Sequence, residues 1–433
     1  MSQMDGIVHL GDLLEAKVYV RLNDSTQKRV LAAALELYGT YSKLRKEFKV
    51  SRHVIEKLYR DKTKSMSLKL LKCFSEFLYE RSGASIFKME NLEKTVLYLR
   101  SVGANSGKLF NPPFPLNFNC SHGGTIIGGL MGDGGIREDC RPFYANSDKG
   151  AIQEMIVAMK KVVGDFKTGN MTMTNSGYKP GSVTYSYDFH KIIGYILFYG
   201  LGIKAGGKMT VDPSLPKFSF NACLDFKVHL IKKFFTDEAT PHAAGTDLAP
   251  QISLRQVKPI VSEKDSPPKR LVDINELLKS LGLKPVIFLE DSYIVENEKR
   301  GVYNLSISKI NDTRFFSEKI GFSSKSKEEK LKTILNETTR KTSAEEYFRN
   351  KTLNSSMPVL SSIEILREKN EEITSQNISK IVGRSVDSVR LVLNRPENRN
   401  ILKITNKGNP LKGKGHTCDV FELTDKGEES IRV

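Results

Sequence analysis

Three glycines at four-residue spacing constrain this chain more than any other feature. Gly124, Gly128 and Gly132 lie within an apolar stretch that continues to Ile136. Residues four apart share one face of an α-helix, so these glycines predict a helix face without side chains. Glycine destabilises a helix interior relative to alanine, and such a stripe is typical of helices that pack closely together. The stretch therefore predicts a helix whose neighbour comes very near to its backbone.

An acidic residue follows the stripe directly. Asp133 comes at the C-terminal end of the predicted helix, between Gly132 and Gly134. The partial negative charge of a helix C-terminus disfavours a carboxylate at that place. A carboxylate held there predicts a bound cation.

The charge of the chain predicts a polyanionic partner. The 433 residues include 67 Lys and Arg against 50 Asp and Glu, which gives a net charge of +17. An apolar share of 39% supports several folded domains and argues against global disorder. Nucleic acid is the leading candidate, an anionic membrane surface is a weaker one, and charge kept only for solubility is the alternative.

Other bulk features predict a cytoplasmic protein without a membrane partner. No apolar run is long enough to span a membrane, and the N-terminal residues lack a signal-peptide pattern. The five cysteines are scattered and show no metal-binding spacing, which favours a reducing compartment.

Residues 25–82 predict a small helical domain of the helix-turn-helix type. Ser25 is an expected helix cap, and Ser51 caps a second helix after a short turn, which is the spacing of that motif. A helical bundle with a solvated basic face is the alternative. Residues 1–24 are expected to be an N-terminal extension, and residues 83–120 a connector. The expected DNA contacts of this domain are Arg52, His53, Lys57 and Arg60.

Residues 121–215 and 216–322 predict the same order of elements twice. Each reads as α-ββ-α-ββ-α, so we expect an α+β core of two similar sheets related by a pseudo-twofold axis. Residues 323–356 predict a charged bridge, either helical or flexible. Residues 357–433 predict a winged-helix-like domain, which would bind DNA or, alternatively, protein. Its expected DNA contacts are Arg384, Arg390, Lys412 and Lys414.

The stretch 126–134, inside this duplicated unit, resembles the LAGLIDADG homing endonucleases, and the resemblance extends over residues 115–321. Asp133 takes the position of the first family acid, and Glu238 that of the second. The resemblance implies two helices packed at the pseudo-twofold axis, each delivering one carboxylate. It also implies that Asp133 and Glu238 bind Mg²⁺ or another divalent cation for phosphodiester hydrolysis in duplex DNA. Gln256 and Lys258 would order solvent or neutralise charge, and Arg255 is a further expected DNA contact.

The second motif departs from the pattern in three places. Lys233 takes the place of Gly128, His229 that of Gly124, and Ala239 that of the glycine after the acid. The second helix therefore lacks the small stripe. We expect the lysine either to extend its ammonium group into solvent or to force the two helices apart.

Three functions follow from these expectations. The first is a site-specific, Mg²⁺-dependent DNA endonuclease that acts as a monomer with an internal pseudo-dimer. The second is a DNA-binding transcriptional regulator on the same scaffold that has lost catalysis. The third is an RNA-splicing helper of the maturase type.

Overall fold

The computed structural model has an α+β fold, and the chain divides into two compact units. One comprises residues 1–240, 252–307 and 311–328, and the other residues 241–251, 308–310 and 329–433. No helix within the described ranges is long and apolar enough to cross a membrane. The structure describes residues 4–60, 64–103, 107–169, 171–175, 183–244, 249–260, 266–296, 298–349, 362–363, 365–367, 369–382, 386–393, 402–406 and 420–424.

The N-terminal part combines helices with short strands. Asn23, rather than the expected Ser25, caps the first helix, because its side chain accepts a hydrogen bond from the Thr26 amide. Gly39 ends that helix in the left-handed conformation. The elements are β1 (Ile7–Val8), β2 (Val18–Leu22), α1 (Asp24–Tyr38), α2 (Tyr41–Phe48), α3 (Arg52–Arg60), β3 (Met66–Ser67), α4 (Leu68–Ser82), α5 (Met89–Leu92), β4 (Val96–Ser101), β5 (Lys108–Phe110) and β6 (Leu116–Asn117).

The next part of the chain holds two sets of helices and strands, each opened by a helix. In the first set, a short π-helical segment, Ile196–Gly200, continues α8. The first set is α6 (Ser121–Met131), β7 (Gly134–Ile136), β8 (Pro142–Asn146), α7 (Lys149–Val163), β9 (Asp165–Phe166), β10 (Thr172–Asn175), β11 (Val183–Asp188), α8 (Lys191–Tyr195) and α9 (Lys208–Val211). The second set is α10 (Leu224–Glu238), β12 (Ala239–Ala244), β13 (Ala249–Pro259), α11 (Lys269–Ser280), β14 (Val286–Val295), β15 (Glu298–Ile307) and α12 (Ile310–Lys319).

The two sets build four-stranded sheets with the same strand order. The first sheet runs β7-β8-β11-β10 and the second β12-β13-β15-β14, so the fourth strand lies between the second and third in both. In the second sheet, Leu254 pairs with Leu305 and Ile252 with Ile307, and all four side chains are buried. The shared order is what a duplicated unit produces.

A five-stranded sheet joins the N-terminal helices to the first set. Its order is β3-β2-β4-β5-β9, and β9 directly follows α7. The stretches expected to form only an extension and a connector therefore supply three of its strands, β2, β4 and β5. Short strands pair over long sequence distances here, which a local pattern does not show.

The C-terminal residues form a long helix, two short helices and a hairpin. These are α13 (Lys325–Arg349), α14 (Ser375–Val382), α15 (Val386–Leu393), β16 (Leu402–Asn406) and β17 (Val420–Leu423). The helix α13 takes the place of the predicted bridge. A small core includes Ile363, Leu366, Ile378 and Val389. The winged-helix prediction places a basic, glycine-rich wing at residues 408–416, and these lie outside the described residues.

Candidate active site at the ends of two packed helices

The helices α6 and α10 pack backbone against backbone along the glycine stripe. A Cβ atom added to Gly124 would lie 2.3 Å from a carbonyl oxygen of α10, and one added to Gly128 would lie 2.5 Å from another. One added to Gly132 would lie 2.8 Å from Cβ of Asp237. Real Cβ atoms do not come this close to backbone, so this packing requires glycine at the first two positions. We call this contact between α6 and α10 the seam.

Asp237 is the carboxylate inside the seam, and it is not among the predicted site residues. Its side chain is 0% exposed. Oδ1 accepts a hydrogen bond from the Tyr144 hydroxyl at 2.8 Å and lies 3.2 Å from Nζ of Lys233. Burial raises the pKa of Asp237, and the Lys233 charge opposes that rise. The sequence feature that could have indicated this ion pair is the position of Asp237 one helical turn after Lys233.

Lys233 neither reaches solvent nor forces the helices apart, so both expectations for it are wrong. It is 1% exposed. Its ammonium group donates to the Tyr144 hydroxyl at 2.6 Å and lies 3.2 Å from Asp237 and 3.4 Å from Glu154. A buried charge is tolerated when it is paired and hydrogen-bonded. The lysine is therefore neutralised within the seam.

Asp133 directly follows the seam end of α6. Asn146 donates a hydrogen bond to its Oδ2 at 2.7 Å. Burial raises the pKa of Asp133 to about 7, and the charges of Asp237 and then Glu238 contribute to the rise, while two lysines oppose it. A carboxyl group perturbed in this way is a candidate functional group.

Glu238 is the last residue of α10 and is half-buried. Within the described part of the chain, its carboxylate has no hydrogen-bond or ion-pair partner. Its charge acts on Asp133, Lys208 and Arg270. The structure therefore brings the two predicted acids into the same electrostatic environment. Of the two, Glu238 has a carboxylate without a partner among the described residues.

A lysine caps the C-terminal end of each seam helix. Lys208 donates to the carbonyl oxygens of Met131, at 3.0 Å, and Gly132 at the end of α6. Lys327 donates to two carbonyl oxygens at the end of α10, at 2.6 and 2.7 Å. Lysine at this position balances the negative end of the helix. Burial, and then the charge of Arg270, lower the pKa of Lys208 to about 8. Neither lysine was predicted.

The other two predicted catalytic residues are engaged by partners. Gln256 is 3% exposed, and its Oε1 accepts a hydrogen bond from Nε of Arg270 at 2.6 Å. Lys258 forms an ion pair with Asp212 at 3.1 Å. Arg270 thus lies between Gln256 and the seam. Nothing in the sequence around Arg270 predicted this contact.

The predicted DNA contacts are spread over several elements. On α3, which begins at Arg52 and ends at Arg60, His53 and Lys57 are exposed. Arg255 is exposed on β13, where it pairs with Glu290. Arg390 is half-buried on α15. Three predicted contacts lie outside the described residues, namely Arg384, Lys412 and Lys414.

Two cavities flank Asp133. One, of about 490 Å³, is lined by residues 132–138, Phe143 and residues 206–208. The other, of about 810 Å³, includes Asp133, Glu154 and residues 323–327 in its lining. Among the described residues, no group of three or more His, Cys, Asp or Glu is arranged to hold a metal ion by itself. A cation at Asp133 would therefore need ligands from a substrate or from water.

Comparisons with known proteins give limited similarity. No family model matches the chain, and no curated protein matches it. A structure of mesophilic variants of the homing endonuclease I-DmoI is 14% identical, with 47% of this chain and 97% of that chain covered and a TM-score of 0.29. The structure of I-DmoI in complex with DNA and Mn is 15% identical, with 48% and 99% covered and a TM-score of 0.30. Similarity at this level identifies neither the fold nor the activity of this chain.

Proposed function

We propose that this chain binds duplex DNA and hydrolyses a phosphodiester with Mg²⁺ or another divalent cation held by Asp133 and Glu238. The observation that carries the proposal is the state of Asp133. Its pKa is raised to about 7 by burial and by two neighbouring carboxylates, although two lysines lie nearby. Carboxylates that raise one another's pKa repel each other, and a bound cation relieves that repulsion.

We also infer that the chain has a LAGLIDADG-type core. The two sheets share one strand order, and each set of elements opens with one of the two seam helices. The glycine stripe on α6 meets the backbone of α10, as the family resemblance implies. The net charge of +17 supports a polyanionic partner.

The donor set fits a hard divalent cation. Mg²⁺ is usually held by one or two carboxylates together with waters and substrate phosphates. Asp133 has one oxygen bound by Asn146, and Glu238 has no partner among the described residues. Asp237 is different, because it is fully buried and balances Lys233. We therefore assign Asp237 to the seam and the other two acids to the metal.

The residues of the chain have separate roles in this proposal. Asn146 orients the Asp133 carboxylate by its hydrogen bond. The ammonium groups of Lys208 and Lys327 hold the two helix ends in place. A bound divalent cation would supply Lewis-acid activation of the phosphodiester and a water of lowered pKa.

The second candidate is a DNA-binding regulator without catalysis. Lys208 and Lys233 favour it, because their ammonium groups already oppose the negative charge around Asp133. In that case the lysines would replace the cation, and the site would only stabilise the fold.

A cleavage selection separates the two candidates. A random-sequence duplex pool is incubated with the protein and Mg²⁺, and cleaved ends are sequenced. We expect defined cleaved sites from the wild type, and none in EDTA or from the variants Asp133→Asn and Glu238→Gln. Both variants should still retain DNA from the same pool. The matched control is Asp139→Asn, which removes an exposed carboxylate paired with Arg141.

The result that rejects the endonuclease is sequence-specific retention of DNA, insensitive to EDTA, without any cleaved sequence at high protein concentration. Competition between RNA and duplex DNA for binding tests the splicing-helper alternative. Preference for RNA would favour it.

A further inference from the structure

Two short helices of the N-terminal part, α2 and α3, form a unit that the proposed function does not use. Three residues, Lys49 to Ser51, connect the end of α2 to the start of α3. Lys49 adopts the left-handed conformation, with a φ of 51°. Ser51 caps α3, because its hydroxyl oxygen accepts a hydrogen bond from the Val54 amide at 3.3 Å. A turn of this length between two helices is typical of the helix-turn-helix motif.

One face of α3 is fixed against the other helices of the N-terminal part. Ile55 and Leu58 are buried. Gln27 of α1 is also buried, and its Nε2 donates a hydrogen bond to the carbonyl oxygen of Leu58 at 3.1 Å. His53 and Lys57 lie one turn apart on the opposite face of α3, and both are exposed. The packing therefore presents a defined face of α3 to solvent.

The surface around this face is basic. Residues 41–60 include seven Lys and Arg against two Glu, so the two acids reduce this charge without cancelling it. Lys43 and Lys46 are exposed three residues apart on α2, and therefore share one face of that helix. Within the described chain, neither lysine has an ion-pair partner, and the same holds for Lys57. This positive charge is therefore available to a polyanion.

We propose that α2 and α3 form a second duplex-binding surface, separate from the seam, in which α3 reads bases in the major groove and α2 contacts the phosphate backbone. His53 and Lys57 can bond to base edges, and Val54, which is 41% exposed, can contact a thymine methyl group. Lys43 and Lys46 lie on the helix that crosses the backbone in this motif. Neither helix contributes a residue to the seam, so this binding does not depend on hydrolysis.

The first test measures the phosphate contacts of α2. A random-sequence duplex pool is enriched in EDTA for sequences that the full chain retains, and binding of an enriched duplex is then measured over a range of salt concentrations. Each phosphate contact contributes about 0.9 to the slope of log K against log salt. We expect the double variant Lys43→Gln, Lys46→Gln to lower the magnitude of that slope by about 1.8. The matched control is Lys69→Gln, Lys94→Gln, which removes two exposed lysines outside α2 and α3 and should leave the slope unchanged.

The second test measures base reading by α3. The same enrichment is carried out with Lys57→Ala, and the retained sequences are compared with those of the wild type. We expect the preference at the contacted base pairs to fall about 5-fold to 150-fold, while preferences at the other positions are kept. Lys69→Ala removes an exposed lysine of α4 and should leave every position unchanged.

The outcomes separate this surface from the proposed function. Equal slopes for the two double variants, with both proteins folded by circular dichroism, overturn the backbone contacts of α2 and leave the proposed function standing. Unchanged preferences in Lys57→Ala overturn base reading by α3. The expected changes without any cleavage in Mg²⁺ support this surface and reject the endonuclease. Absence of duplex binding by the wild type overturns both proposals. A slope change on RNA but not on duplex DNA assigns the surface to RNA and overturns the duplex assignment.

Discussion

Replacing the proposed metal ligand Asp133 by asparagine should stabilise the protein in the absence of metal. The pKa of Asp133 is raised from 3.8 to about 7. Between these two values the folded state holds a proton that the unfolded state has released. The free energy of unfolding therefore falls as pH rises through this window, and above about pH 7 the full cost of the buried carboxylate is present. Asparagine removes the ionisation and with it this cost.

The expected gain follows from the two pKa values. One pKa unit corresponds to about 1.4 kcal/mol, so a rise from 3.8 to about 7 corresponds to about 4 kcal/mol above pH 7. Asp133 is only half-buried, and solvent screening reduces this to about 2 kcal/mol. At about pH 5 the same calculation leaves about 1 kcal/mol. The gain should therefore be larger at high pH.

Urea titration in EDTA at about pH 5 and about pH 8 measures this difference. The chain has no tryptophan, so far-UV circular dichroism is the suitable signal. Asp139→Asn, which removes an exposed carboxylate, should leave the free energy of unfolding nearly unchanged at both pH values. Adding Mg²⁺ should stabilise the wild type and not Asp133→Asn. A destabilised Asp133→Asn at high pH, or an equal gain at both pH values, would refute the reasoning.

Three further variants test the seam by the same titration. Gly128→Ala should lower the free energy of unfolding by about 3 kcal/mol, because the added Cβ would lie 2.5 Å from an α10 carbonyl oxygen. Gly11→Ala is the control, and it should leave that free energy unchanged because a Cβ at Gly11 has nothing within 4 Å. A neutral Gly128→Ala would contradict the close packing. Lys233→Met should lower the free energy of unfolding by about 3–5 kcal/mol, because it leaves the buried Asp237 carboxylate without its cation. A stabilised variant would argue against that ion pair. Tyr144→Phe should cost about 1–3 kcal/mol through its lost hydrogen bonds, and no change would mean that water replaces the hydroxyl.

Local patterns predicted the elements of the core well, and the α+β class is confirmed. Alternating apolar residues predict a strand over residues 250–258 and helical periodicity predicts a helix over residues 271–281, and the structure has β13 and α11 there. Alternation and helical periodicity act within a few residues, so they are readable without a partner. The strand β12 was missed, since Pro241 and the small residues around it lack a strand pattern.

Long-range partners could not be read in this way. Asp237 and Glu238 are adjacent in sequence, but successive helix residues point about 100° apart, so only one of them faces the seam. The motif resemblance selected Glu238 as the acid and gave no reason to examine its neighbour. Arg270 meets Gln256 only because α11 packs beside β13. Such contacts depend on tertiary geometry, which the sequence pattern does not contain.

The charge balance around the seam bears on the choice between endonuclease and regulator. Lys233 replaces a small residue of the first motif, and its bulk suggested a damaged site. Its ammonium group instead neutralises Asp237, which is the acid that the seam buries completely. The pKa of Asp133 is still raised to about 7, first by burial and then by the charges of Asp237 and Glu238, although Lys208 and Lys233 oppose the rise. The remaining negative charge lies at the two acids that have exposed surface, Asp133 and Glu238. A cation from solution would find its ligands at these two acids. This favours the endonuclease proposal over a regulator in which the lysines replace the cation.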